Sequence, residues 1–403
     1  MGTMVTEGPT RRHALLFSYS DISTDPRVRR QVDWLTQDGW VVDTVGFGPH
    51  PTSDVRDHFP LAAPSRWATS KLGIVVATVA LSHRRLFRAQ VTGRIAGSVL
   101  QRLRSGVYDL VVFNETEFTP LIDDPRDFTP AARNAHVHVD LHEFHDPVRR
   151  RRTLGARLTS RHYRWVRNHI GDRRVDSRTV VNDPIGRLYV EEFGIAPLTP
   201  VRNAPPMVDQ AVHPPADRIR LLFHGLASWQ RGFDEILDAM RTLPEHFTMT
   251  FMLMPNGRVV DQLQERVDAH PARDRIRIVP PAPMREIAER INEYDLEIIF
   301  YKPLGKNLEF ALPNKFFESI QARIGVVVGE SPAMADIVRQ YGNGLVVSGF
   351  EASDLSRALG SLDVETITRI KRGADVAARE LNAEAEGRAF LGAIATSTVG
   401  SAS

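Results

Sequence analysis

From residue 13 to residue 347, apolar runs of strand length alternate with amphipathic stretches of helical period, and nothing else in the chain restricts its fold as much. In the first half the strand candidates are 13–19, 41–47, 108–114, 136–140 and 178–182. In the second they are 218–224, 247–254, 275–280, 296–301, 325–329 and 344–347. Residues 27–37 show the helical partner. Val28, Val32 and Leu35 share a face, Asp25-Pro26 supplies a cap and a first-turn proline, and Gly39 closes the far end. Repeated strand–helix units build parallel, doubly wound sheets covered by helices. At 403 residues the chain exceeds what one core supports, so two such domains are expected. The best linker is Asn203-Ala204-Pro205-Pro206-Met207, which sets domains at 1–206 and 207–373, with 374–403 returning to the first domain as a C-terminal helix.

Composition removes several function classes. The absence of cysteine excludes disulfide scaffolds, thiolate metal sites and a cysteine nucleophile. The longest apolar run, 73–81, is too short to span a bilayer, and residues 1–12 lack the apolar core of a signal peptide, so a cytoplasmic protein is expected. The net charge of +2 divides into +6 over residues 1–200 and −4 over the remainder. Much of the excess lies in 149–178, where eleven arginines face only Asp172 and Asp176. There Leu154, Leu158, Trp165, Val166 and Ile170 recur at helical spacing among Arg157, Arg161, Arg164 and Arg167. Such a basic amphipathic helix is either a solvated face above a core stripe or a surface for an anionic membrane, giving peripheral contact at the inner membrane face. Nucleic acid is not an expected partner, because no pattern of stacking aromatics accompanies the arginines.

In open α/β sheets ligands bind beyond the carboxyl ends of the strands, so the strand-to-helix junctions hold the chemistry. After 218–223 comes His224-Gly225, then Arg231-Gly232 and a helix patterned by Phe233, Ile236, Leu237 and Met240. Gly225 and Gly232 free the backbone to turn, and Arg231 lands beside a helix start that favours a phosphate. At Leu312-Pro313-Asn314-Lys315-Phe316-Phe317-Glu318 the proline suits a helix start, and Lys315 and Glu318 share a face three residues apart. A cation there suits a diphosphate and a carboxylate one turn deeper suits sugar hydroxyls; the plain alternative is a surface ion pair. Only five lysines exist, against 46 arginines, and three of them fall between 302 and 315. At Gly329-Glu330-Ser331-Pro332-Ala333 a strand ends, Ser331 can cap and Pro332 can open a helix, a third anion-binding position.

The series Gly225…Arg231-Gly232, then Pro280-Pro281-Ala282-Pro283-Met284, then Leu312 to Glu318, then Ser331 to Val338 resembles the GT-B-fold glycosyltransferases of family 4. The likeness is nearest to members acting in surface-polysaccharide and natural-product assembly. The first half agrees in order through Asp25-Pro26-Arg27-Val28, Tyr108 to Val112, and Asp140-Leu141-His142-Glu143. The resemblance implies two Rossmann-like domains facing across a cleft. It implies that Arg231 and Lys315 clamp a donor diphosphate, with Gly225, Asn314, Ser331, Pro332 and Ala333 around it. Glu318 would hold the ribose, Pro281 and Met284 would face the base, and His142 would contact the donor sugar near the bond that breaks. Asp25 and Arg27, otherwise a helix cap and a surface residue, would stand on the acceptor side. Glu115, Glu143 and Asp140 are carboxylates that could orient His142 or take the acceptor proton.

Members often carry two glutamates separated by seven residues, the first touching the donor sugar. Here that place is Phe310, with Glu309 one position away, so the sugar stays open. The expected activity is transfer from a nucleotide-diphosphate sugar, UDP-sugar favoured, to a hydroxyl of a glycan, lipid-linked or natural-product acceptor. Retention of configuration is implied, and no Asp-x-Asp pair for a metal is present. No metal and no cofactor beyond the co-substrate are expected. The rival readings are a nucleotide-sugar epimerase of the same fold and a non-catalytic nucleotide-sugar or membrane-binding module.

Overall fold

The protein is described here by a computed structural model covering residues 11–63, 83–146 and 154–395. The 73–81 run, most of 1–12 and the arginines at 149–152 lie outside the described residues. The chain divides into two compact units, 1–201 with 387–403, and 202–386.

The first unit is built on seven parallel strands in the order β3-β2-β1-β4-β5-β6-β7: β1 His13–Asp21, β2 Val41–Phe47, β3 Val55–Pro60, β4 Leu110–Asn114, β5 His136–Leu141, β6 Ser177–Val180 and β7 Thr199–Pro200. Its helices are α1 Pro26–Gln37, α2 His83–Gln90, α3 Gly97–Arg104, α4 Leu154–Arg167 and α5 Asp183–Phe193. Strands β1 and β4 supply fully buried runs such as Ala14 to Phe17 and Leu110 to Phe113, as a parallel sheet covered on both faces requires. Helix α1 starts as expected: the Asp25 carboxylate accepts from the Arg27 and Val28 amides and Pro26 occupies the first turn. Strands β3 and β7 were not expected. Both lie at edges, where β3 carries Arg56, Asp57 and His58 in a row and β7 is two residues ending in proline, so neither shows a buried-strand pattern.

The second unit has six parallel strands in the order β10-β9-β8-β11-β12-β13: β8 Ile219–Leu226, β9 Phe247–Met254, β10 Ile276–Val279, β11 Leu296–Ile299, β12 Gly325–Gly329 and β13 Gly344–Val347. Its helices are α6 Phe233–Met240, α7 Val259–Asp268, α8 Ile287–Ile291, α9 Lys306–Glu309, α10 Asn314–Gln321, α11 Pro332–Tyr341, α12 Ala352–Gly360 and α13 Val364–Glu380. The last helix, α14 Ala383–Ala395, carries Phe390 and Ile394 into the core of the first unit.

Two boundaries shift from the sequence reading. The first unit ends at Val201 rather than at 206, and the return begins at Gly387 rather than at 374. Ala374, Ala377 and Ala378 are wholly buried on α13, which packs on α10 within the second unit. Their small side chains let the two helix backbones approach closely.

Candidate active site

The second unit's strand order reverses between β8 and β11, leaving a crevice at their carboxyl ends. Gly225 sits there with φ +116, a left-handed conformation that glycine adopts without a side-chain penalty. A Cβ at this position would stand 3.6 Å from Lys315 Cε and 3.7 Å from Arg231 Nη1, so both cations lie over bare backbone. They open onto a cavity of about 430 Å³, whose lining includes Pro281, Met284, Asn314 and Glu318. Most of the residues expected to contact a donor therefore line one cavity.

Lys315 is 4% exposed, and its Nζ has no hydrogen-bond partner. The ammonium stands 3.5 Å from Glu297 Oε1 and 3.3 Å from the centre of the Phe223 ring. Burial lowers its pKa to about 8 against the attraction of Glu297, and Arg231 adds to the lowering. A buried cation with spare donors beside an open cavity is a group waiting for an acceptor.

Lys315 and Glu318 do not pair with each other. His224 holds Glu318 instead: its Nε2 donates to Glu318 Oε2 at 2.8 Å and its Nδ1 to Glu297 Oε2 at 3.0 Å. The His224 amide also donates to Glu297 Oε1 at 3.0 Å. Burial alone would lower the imidazole pKa, but Glu297 and then Glu318 outweigh it and raise it to about 9. A charged imidazolium therefore fixes the ribose candidate. The sequence reading missed His224 and Glu297. The available signal was a glutamate inside the apolar run Leu296 to Phe300, since a charge in a buried parallel strand must find a partner.

Ser331, Pro332 and Ala333 are not in the lining of this cavity. Ser331 stands at the cap position of α11, with Pro332 in the first turn, but its side chain does not cap. The hydroxyl donates to the Glu309 carbonyl at 2.9 Å instead. Glu309 pairs with Lys306 at 2.9 Å on the short helix α9.

The first unit has its own charged network at the carboxyl end of β5, between β4 and β6. Asp140, fully buried, receives Arg27 through two bonds of 2.6 and 2.7 Å, Gln31 at 2.5 Å, Thr179 at 2.6 Å and His142 Nε2 at 3.1 Å. Burial opposes its ionisation, yet Arg27 and His142 hold its pKa well below the usual range. Arg27 is thus not a surface residue: it is 4% exposed, and a third bond ties it to the Val201 carbonyl at 2.7 Å. Burial opposes charge on His142, but Asp140 and then Glu115 outweigh it and raise its pKa.

Glu115 adopts φ +65, a conformation costing roughly 1–3 kcal/mol for a residue with a Cβ. Its carboxylate accepts the amides of His142 at 2.6 Å and Glu143 at 3.1 Å, and pairs with His145. The neighbouring Glu117, also missed, has a buried Oε2 without a partner and a pKa raised by burial and by Glu115. Asp25 caps α1 and accepts from Ser20 Oγ at 2.6 Å.

The basic stretch forms helix α4, but several of its arginines turn inward. Arg167 is buried, pairs with Glu192 and stacks on Phe144, Tyr189 and Phe193. Arg174 pairs with Asp123 and Asp172, and Arg178 donates to the Ile170 and Asp172 carbonyls. Arg161 and Arg164 remain exposed. No helix among the described residues is long and apolar enough to cross a membrane.

Two doubly wound units on parallel sheets of seven and six strands give the chain the GT-B fold, and solved structures agree. The glycosyltransferase from Rickettsia africae ESF-5 matches with a TM-score of 0.65 at 11% identity, over 96% of this chain and 99% of that one. The Anabaena protein HepE in complex with UDP matches with a TM-score of 0.65 at 13% identity, over 96% and 100%. Sucrose-phosphate synthase from Thermosynechococcus elongatus matches with a TM-score of 0.65 at 15% identity, over 98% and 100%. At these identities the likeness is one of fold. No family profile and no curated protein sequence matches the chain.

Proposed function

We propose that the chain is a glycosyltransferase that moves a hexosyl group from a UDP-sugar to a hydroxyl of a glycan, lipid-linked or natural-product acceptor. The observation that carries this reading is the buried Lys315 Nζ, which makes no hydrogen bond, set with Arg231 over Gly225 in a cavity that also holds Glu318. Two cations suit a diphosphate, and a carboxylate fixed by an imidazolium suits the ribose hydroxyls. HepE, a fold neighbour, has been solved with UDP-glucose, which supports the choice of nucleotide.

In the reaction the acceptor oxygen bonds to the anomeric carbon as that carbon's bond to the diphosphate oxygen breaks. The acceptor proton passes to the departing phosphate, whose growing charge Lys315 and Arg231 neutralise without a metal. Attack from the leaving-group side retains configuration. His142 contacts the donor sugar, Asp25, Glu115 and Glu143 face the acceptor, and Arg27 acts indirectly by fixing Asp140. Among the described side chains of α4, Arg161 and Arg164 are exposed and available for peripheral contact with an anionic membrane, to which the charge pattern of the sequence adds Arg157.

Incubation with a panel of nucleotide sugars tests the reading. Slow release of UDP from one donor, and a product of retained anomeric configuration by NMR, are expected. Interconversion of donor sugars without release identifies an epimerase, and binding without turnover identifies a binding module. Flotation with anionic liposomes, lost when Arg161 and Arg164 are neutralised, tests the membrane contact.

A further inference from the structure

Parallel sheets normally cover both faces with apolar side chains, and the second unit departs from this at the amino ends of three neighbouring strands. The register sets Arg220 of β8 against Thr248 of β9, and Thr250 of β9 against Arg277 of β10. These four side chains, with Arg218 just before β8, line a cavity of about 250 Å³ separate from the donor pocket. Further along the same strands Leu222 and Met252 pack with Ile291 of α8 in an ordinary apolar cluster, so the polar patch is local.

Charged edge strands often guard a sheet against pairing, which would account for Arg277 on β10. It does not account for Arg220, Thr248 and Thr250, which lie on inner strands. Arg275, also in the lining, is consumed by the carbonyls of Met240, Leu243, Pro244 and Phe247. Arg218 and Arg277 have no ion-pair partner among the described residues. Arg220 stands 3.8 Å from Glu293 and 3.7 Å from Asp295, and its buried Nε makes no hydrogen bond. Three guanidinium groups thus converge with donors to spare. Asp274 and Glu293 stand in the same wall as acceptors.

We propose that this cavity is a second binding site, for a phosphorylated sugar, with its phosphate on Arg218, Arg220 and Arg277 and its hydroxyls on Glu293 and Asp274. Forked guanidinium donors match phosphate oxygens, and the carboxylates exclude a bare polyanion while accepting from hydroxyls. The volume lies below the usual range for a drug-sized ligand, which suits a monosaccharide phosphate better than a nucleotide.

Calorimetric titration of the whole protein with glucose 6-phosphate, inorganic phosphate and glucose, each with and without UDP, tests the site. Glucose 6-phosphate should bind more tightly than inorganic phosphate, glucose should not bind, and UDP should leave the affinity unchanged. Both Arg218→Ser and Arg277→Ser lie at exposed positions, and each should weaken binding about tenfold while UDP binding is preserved. Absence of glucose 6-phosphate binding, retention of binding by the double variant, or displacement by UDP would each overturn the assignment. A protein that takes glucose 6-phosphate but not UDP would keep this site and lose the donor reading.

Discussion

Lys315 does two jobs that conflict, and pH separates them. On the proposed reading its burial would strengthen its hold on a phosphate, and the same burial brings its pKa to about 8. Diphosphate affinity and transfer should therefore fall as pH rises through 8. Stability reports this poorly. Lys315 has a folded pKa below its ordinary 10.5, so the cost of its buried charge is relieved between pH 8 and 10.5. His224 has a folded pKa above its ordinary 6.5, so its contribution is complete below pH 6.5 and is lost as pH rises through about 9. The two trends oppose each other above pH 8. Lys315→Met should lower kcat/KM about 10²–10³-fold and remove the alkaline limb near pH 8. Wild-type turnover with an unchanged profile would take Lys315 out of the mechanism. Lys315 and Glu318 could be read in the sequence because they lie one helical turn apart. Glu297 shows in the sequence only as a charge inside an apolar run, and its pairing with His224 does not show at all, because 73 residues separate them and only the β8–β11 pairing joins them.

Among the elements, the loop from β8 into α6 binds the site most closely to the backbone. Gly232 takes φ +84 at the start of α6, and a Cβ there would lie 2.4 Å from the Phe300 carbonyl oxygen. That oxygen is backbone beside β11 and has little room to retreat. Gly232→Ala should therefore cost about 2 kcal/mol or more in urea denaturation, and should weaken UDP binding by moving Arg231. An alanine variant with wild-type stability and affinity would show that the loop is not held as described. The glycine pair around this loop was visible in the sequence because turn chemistry is local. The opposite holds at Ser331, where the local pattern marks a cap and a tertiary contact with the Glu309 carbonyl takes the hydroxyl. The strand Leu110–Asn114 was plain from its apolar run, whereas β3 and β7 were hidden because edge strands carry no buried period.

Across the whole molecule, two doubly wound units were readable from the alternation alone, while their limits depended on packing that no local pattern records. The alanines of α13 look equally suited to either unit, and their burial within the second one moves the return point to Gly387. From there Phe390 reaches the first unit's core, with its ring centre 5.5 Å from that of Trp34 and 5.3 Å from that of His138. Phe390→Ala should destabilise that core by roughly 3–5 kcal/mol. The cavity at Lys315 and Arg231 is lined wholly by residues of 202–386, so UDP bound there as proposed should go on stabilising the second unit by mass action. Calorimetric unfolding of the variant should show one transition lowered and another still raised by UDP. If UDP no longer raised any transition, the pocket would depend on the first unit's core, and the assignment of nucleotide binding to the second unit alone would fail.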